Sequence, residues 1–327
     1  MTQETKAAAI VSVTRCADYE SGRVEAALAG NLSGLGGMEQ FVRQGEQVLL
    51  KPNFIAAKRR DQAVQTDPAV LLAVAKTVKD LGGKPFIADS PAWNNVKSCI
   101  KALALEEPLR KLGVDYREMD EPQRVLIDGT KVGIGRAALE ADKIINLPKL
   151  KSHQQLTATF AVKNMFGCVC GKEKAWWHFA RGKEPEKFCR LLIGIYKLLR
   201  PVLNIIDGVV AMEGPGPIRG KPRRLGYLVS GIDPIACERV CCDLIQIDPE
   251  ALPILQTAKR IGFGCGDPDR IQVVGDAGLN KACADFQAAE LVPIRFSLVH
   301  VIRSVIRQIM LLAKTKKQGG TTGKTGG

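Results

Sequence analysis

Short, continuous apolar runs recur along the chain, bounded by Gly, Pro and Asp. They predict strands buried on both faces at residues 7–14 (AAAIVSVT), 47–50, 84–89 (KPFIAD), 143–145, 202–206, 225–230 and 270–274. Between them apolar residues return at helical spacing, predicting helices over residues 22–31, 67–81, 96–112, 137–141, 184–199, 233–245 and 249–261. Three of these helices have an Asp-Pro start: Asp67-Pro68, Asp233-Pro234 and Asp248-Pro249. Aspartate there can accept from free N–H groups, and proline loses nothing in a first turn. A short strand near Tyr116 and a hairpin over residues 125–134, turning at Asp128-Gly129, interrupt the alternation. The pattern predicts an α/β fold: a mostly parallel mixed sheet flanked by helices on both faces, with a small β-hairpin insertion and a C-terminal amphipathic helix.

Residues 1–290 form the expected α/β domain, either as one body or as two lobes of about 1–142 and 143–290. Residues 296–312 place apolar side chains at 298, 299, 302, 305, 306, 309 and 310, with Arg303, Arg307 and Gln308 opposite. That is an amphipathic helix, too interrupted by charge to span a bilayer. Packing on the body is favoured over binding a partner or lying on an anionic membrane surface. The Gly/Thr/Lys-rich stretch 314–327 buries nothing and is expected to be a disordered basic tail.

Charge changes this picture because it is concentrated. The net charge is +13, and residues 143–200 hold 12 Lys or Arg against 3 Glu, while residues 291–327 hold 7 and no acid. The first block contains NLPKLKSHQQLTATFAVKNMFGCVC (146–170), directly after a predicted strand. Pro148 is expected to end that strand, leaving Lys149, Lys151 and His153 at its carboxyl end, where open α/β sheets place ligands. Other strands end alike, with Lys51-Pro52-Asn53, Asp89-Ser90-Pro91, and Asp207-Gly208 followed by MEGPGPIRG (212–220). The expected ligand is a small anionic metabolite bearing carboxylate or phosphate. Lys51, Lys149, Lys151 and Lys163 would neutralise it, Asn53, Ser90 and Asn164 would orient it, and Gly214 and Gly216 would turn backbone N–H groups toward it.

His153 is the candidate acid/base, with Lys151 and Asp207 in supporting catalytic roles; a cationic neighbourhood lowers the pKa of an amine or imidazole. Asp89 and Glu213 are candidate oxygen ligands for a divalent metal. Trp176 and Trp177 either form a lid over an apolar part of the ligand or pack on a neighbouring helix or a subunit of a homo-oligomer. Nucleic acid is disfavoured, because aromatic residues are only 5% and no DNA- or RNA-binding motif accompanies the basic blocks. A non-catalytic module that carries an anionic ligand, cofactor or RNA to a redox partner is the competing function.

Ten cysteines, with Lys6 and no long apolar core near the start, lead to the expectation of reduced thiols in a cytoplasm. Cys168 and Cys170 are redox candidates, but there is no Cys-X2-Cys pair, so an intrinsic ferredoxin-type 4Fe–4S cluster is not expected. The succession KPN, TDP, ADSP, NLPKLKSH, FAVKNMFG, IIDGVVAMEGPGP and GIDPIACE resembles the family called domain of unknown function 362 (DUF362), from about Val48 to Asp243. That resemblance implies an α/β fold and a cytoplasmic enzyme or redox partner. Many members carry a two-cluster ferredoxin segment whose cysteines this chain lacks, so a ferredoxin-like protein would act in trans. A more distant likeness to the nickel-pincer lactate racemases, through a lysine-bearing loop after an early strand, implies small-acid chemistry.

Overall fold

The computed structural model describes residues 9–171, 173–174, 176–177, 184–276, 283 and 285–290. The expected amphipathic helix, the basic tail and His178 lie outside them. The strands are β1 (Ala9–Arg15), β2 (Gln47–Pro52), β3 (Lys84–Asp89), β4 (Asp115–Glu118), β5 (Pro122–Ile127), β6 (Thr130–Gly135), β7 (Lys143–Leu147), β8 (Lys149–His153), β9 (Thr157–Thr159), β10 (Leu203–Glu213), β11 (Lys221–Gly231) and β12 (Ile271–Gly275). The described helices are α1 (Ser21–Ser33), α2 (Pro68–Asp80), α3 (Val96–Ala102), α4 (Glu106–Leu112), α5 (Arg136–Leu139), α6 (Ala161–Asn164), α7 (Pro185–Leu199), α8 (Pro234–Ile245) and α9 (Pro253–Ile261).

Among the described residues ten strands share one sheet, ordered β12-β1-β11-β10-β7-β2-β3-β4, with β8 beside β10 and β9 beside β8. All of its pairings are parallel except those of β11 with its two neighbours and that of β8 with β9. Strand parity explains why the central runs are apolar throughout. Leu49, Ile144 and Ile206 face one core with α7, α8 and α9, whereas Val48, Leu50, Ile145 and Ile205 face a second with α1, α2 and α3. A sheet covered on both faces has no polar side to alternate with. The fold class read from the sequence is therefore observed.

Local chemistry sets the boundaries. Asp67 accepts from Ala69 N, Asp233 from Ile235 N and Ala236 N, and Asp248 from Glu250 N, so all three aspartates cap as expected. The hairpin of β5 and β6 turns at Asp128 and Gly129, both with positive φ, as a type I′ turn requires. The helix expected over 96–112 is instead α3 and α4, separated where Ala104 adopts φ 53°. The helix expected over 249–261 divides too, into a 3-10 turn at Pro249–Ala251 and α9.

Two departures bear on the site. Pro148 does end β7, which stops at Leu147, but a new strand, β8, begins at once, so Lys149, Lys151 and His153 lie within a strand. The strand expected to stop at Ile206 runs on to Glu213, placing Asp207 inside β10, opposite Lys149 in register.

Candidate functional site: a buried lysine cluster

The Lys-X-Lys-X-His spacing is the two-residue period of a strand, so Lys149, Lys151 and His153 project to one face of β8. Lys149 is buried against Asp207, with Nζ 2.8 Å from Oδ2. Tyr19 joins that pair: its hydroxyl donates to Asp207 Oδ1 at 2.6 Å and accepts from Lys149 Nζ at 2.6 Å. Asp67 N also donates to Asp207 Oδ2 at 2.9 Å, and Asp67 is itself held by both Arg60 Nε and Nη2. Burial, then the Asp207 charge, raises the Tyr19 phenol well above its usual pKa and keeps its proton in place.

The second pair is Lys51 and Asp89 from the ends of β2 and β3, 2.9 Å apart and also buried. Phe54 N donates to Asp89 Oδ2 and Ser90 N to Oδ1, at 2.8 and 2.7 Å. Gly167 sits directly on this pair, since a Cβ there would lie 2.2 Å from Asp89 Oδ1 and 2.5 Å from Lys51 Nζ. A larger residue there would have to displace it.

Lys151 differs from both. It is only 3% exposed, yet its ammonium donates to neutral acceptors, Asn53 Oδ1 and Val64 O, the latter at 3.0 Å. Burial, followed by the charges of Lys163 and Lys149, lowers its pKa to about 7. Lys163 on α6 is half-buried, its Nζ 5.2 Å from the Phe166 ring centre, and burial with the neighbouring Lys174 lowers it to about 8. Lys174 donates to Ser90 O and is likewise lowered to about 8, chiefly by burial. A desolvated ammonium without a carboxylate gives up its proton more readily than one in water.

A chain of side-chain amides runs inward from Lys151. Asn53 Nδ2 donates to Asn164 Oδ1, Asn164 Nδ2 to Asn146 Oδ1, and Asn146 Nδ2 to Asn204 Oδ1, at 2.8, 2.8 and 2.9 Å. Tyr196 closes it by donating to Asn204 Oδ1 at 3.0 Å. Because each nitrogen is committed inward, the Asn53 oxygen must face Lys151. Helix α6, which supplies Lys163 and Asn164, is tied down by Val162 N donating to Glu238 Oε1 at 2.8 Å. Glu238 is fully buried, and that burial raises its carboxyl to about 8.

The structure thus gathers Lys51, Asn53, Asp89, Lys151 and Asn164 into one bonded group and Lys149 with Asp207 into another, with Ser90 and Lys163 beside the first. His153 is 6% exposed, and its Nδ1 accepts from Gln155 N at 3.1 Å. Gly214 and Gly216 do not offer their N–H groups to a ligand, since these donate to Gln287 O and Gly214 O at 2.7 Å each. Gly216 is instead a packing requirement, because a Cβ there would lie 2.0 Å from Ser152 O. Glu213 takes the Gln287 N–H at 3.2 Å and approaches Arg223 at 3.9 Å, while Asp89 is held by Lys51. Among the described residues no three His, Cys, Asp or Glu group to hold a metal.

Cys168 and Cys170 are buried thiols raised to about 12 and about 11, above all by burial. Trp176 is 59% exposed, and Trp177 packs against the core. A cavity of about 810 Å³ opens at the other edge of the sheet, lined by Ile10, Ile232, Asp233, Cys265 and Arg270 among others and by none of the candidate residues.

Residues 48–243 match the family profile described as domain of unknown function (DUF362). The chain belongs to the DUF362 family. Lys51 through Asp207, and so both ion pairs and Lys151, fall within the family segment. A thylakoid-associated protein of Synechocystis sp. is 37% identical over 307 residues, covering 92% of this DUF362 chain and 94% of that one. By shape, the lactate racemase apoprotein of Thermoanaerobacterium thermosaccharolyticum aligns at TM-score 0.48 and 12% identity, covering 73% of this chain and 58% of that one. A Thermotoga maritima protein aligns at 0.43 and 12%, covering 68% and 58%. Among the described residues no helix is long and apolar enough to cross a membrane.

Sequence reasoning missed Tyr19, Lys174, Asn146, Asn204, Tyr196 and Glu238. Asn146 lies in the basic stretch and could have been found by asking what a polar residue does inside a buried strand, whereas Lys174, outside any strand, carried only the general signal of the basic block. Tyr19 gave no signal, because its partner Asp207 is 188 positions away.

Proposed function

We propose that this chain is an enzyme that binds a small carboxylate- or phosphate-bearing substrate at the lysine cluster and moves a proton there with Lys151. The observation that carries this reading is a buried lysine with neutral partners and a pKa lowered to about 7. An amine titrating near the working pH can both accept and return a proton, which is the requirement for general acid–base catalysis. Lys163 and Lys174 supply charge for the anion, and the two Lys–Asp pairs hold the strand ends at fixed spacing. His153, on the same face of β8, would be the second proton carrier. Ten free cysteines accord with a reducing compartment such as the cytoplasm.

The test is a turnover screen of purified full-length protein against small phosphorylated and carboxylic acids, with Lys151→Met and Lys163→Met alongside. Lys151→Met should cut kcat by about 10²- to 10⁴-fold, the usual range for an acid–base group. Lys163→Met should act mainly on KM. Binding without any transformation, unchanged in Lys151→Met, would replace the enzyme by a carrier of the same anion.

A further inference from the structure

Five lysines converge on the site, and carboxylates answer two of them. Asp89 and Asp207 are committed to Lys51 and Lys149 and saturated by backbone donors. Lys151 and Lys174 donate to neutral oxygens, and Lys163 lies against an aromatic ring. Each is buried or half-buried, and an ammonium withdrawn from water without a counter-charge is costly. With all three protonated, one negative charge on a ligand would leave two of them unanswered.

We propose that the ligand of this cluster is a small polyanion, a phosphate monoester or a di- or tricarboxylate carrying at least two negative charges. This rests on the anion-site reading above and narrows it. Its arrival brings a linked effect. Without a ligand, burial and mutual repulsion hold Lys151 near 7 and Lys163 and Lys174 near 8, so the three are incompletely protonated at pH 7.5. A bound polyanion restores their protons, so binding takes protons up from solvent. Affinity for an anion of fixed charge then weakens as pH rises through 7 to 8 and beyond.

Asp89 acts on Lys151 and Lys174 as well as on Lys51 and raises both amines, and their lowered values already include it. The buried thiols of Cys168 and Cys189, both raised to about 12, stay uncharged across the window. Lys51 and Lys149 keep their aspartates. His153, two positions along β8, holds its Nδ1 against Gln155 N–H.

Isothermal titration of the full chain at pH 7.5, in two buffers of different ionisation enthalpy, compares sulfate with methanesulfonate and succinate with butyrate. The dianion of at least one pair should bind about tenfold or more tighter than its monoanion, with uptake of about one proton. A preference within the sulfate pair marks a phosphate-type ligand, and one within the succinate pair marks a dicarboxylate. Lys163→Met should lose about tenfold for the dianion and change the monoanion less than about threefold. Because Lys163 is half-buried, the milder Lys163→Gln repeats the comparison should Met disturb folding. Equal affinities within both pairs, or binding without proton uptake, overturns the polyanion and leaves a monoanion site. No binding of any of the four at tens of millimolar overturns the anion site itself.

Discussion

Lys149 and Lys151 stand two positions apart on one strand, point to the same face and are equally withdrawn from water, yet they have opposite surroundings. Lys149 meets Asp207 and the Tyr19 hydroxyl, whereas Lys151 meets an amide oxygen and a backbone carbonyl. The contrast separates two uses of a buried lysine. A charge answered by a carboxylate at 2.8 Å holds elements together, here β8 and β10. A charge answered only by dipoles stays chemically available, because its protonated and neutral forms lie close in free energy.

The sharpest way to break that contrast is to remove one member of a matched pair. Asp207→Ala leaves Lys149 buried and uncompensated and should lower stability by about 3–5 kcal/mol, read from urea unfolding. The double change Lys149→Met with Asp207→Leu should recover most of that loss, since neither charge is then stranded.

Lys151→Met should behave otherwise and not destabilise the fold at pH 8, because the hydrogen bonds lost to neutral groups are offset by relief of the cost of removing a proton from a buried amine. Its mark is in the pH dependence. Lys151 has a folded pKa near 7 against an ordinary 10.5, so the unfolded chain holds more protons between those values, and stability rises with pH across that window. Lys151→Met should remove its share of the rise, as measured by unfolding at pH 7, 8 and 9.

The smallest effect sharpens the comparison from the acid side. Glu238, raised to about 8 from 4.5, is protonated in the folded state near neutrality, so Glu238→Gln should cost less than about 1 kcal/mol at pH 6. The sign of its pH term is opposite to that of Lys151. Its contribution is present below 4.5 and lost as pH rises through 8, so wild type should fall relative to Glu238→Gln over that interval. A parallel pH dependence in the two proteins would mean that Glu238 is ionised.

The fold was legible because its signals are local and repeated: apolar runs of strand length, Asp-Pro caps and an Asp-Gly turn. The site was legible as far as the residue types at strand ends, which named Lys51, Asn53, Asp89, Lys149, Lys151, Asn164 and Asp207. What stayed hidden depends on pairing across the sheet. Nothing in the spacing says that Lys149 has Asp207 opposite it and Lys151 has Met212, which is the difference between a structural lysine and an available one. Gly216 misled for the same reason, since a glycine required by a neighbouring strand looks, in sequence, like one turned toward a ligand, while Gly214 serves a turn with φ 77°.

The most direct measurement is an NMR titration of the lysine side chains in the full chain, with the Lys151 signal assigned by its loss in Lys151→Met. A midpoint near 7 for Lys151 is the predicted result. A Lys151 midpoint near 10.5, as for a lysine in water, would contradict the account.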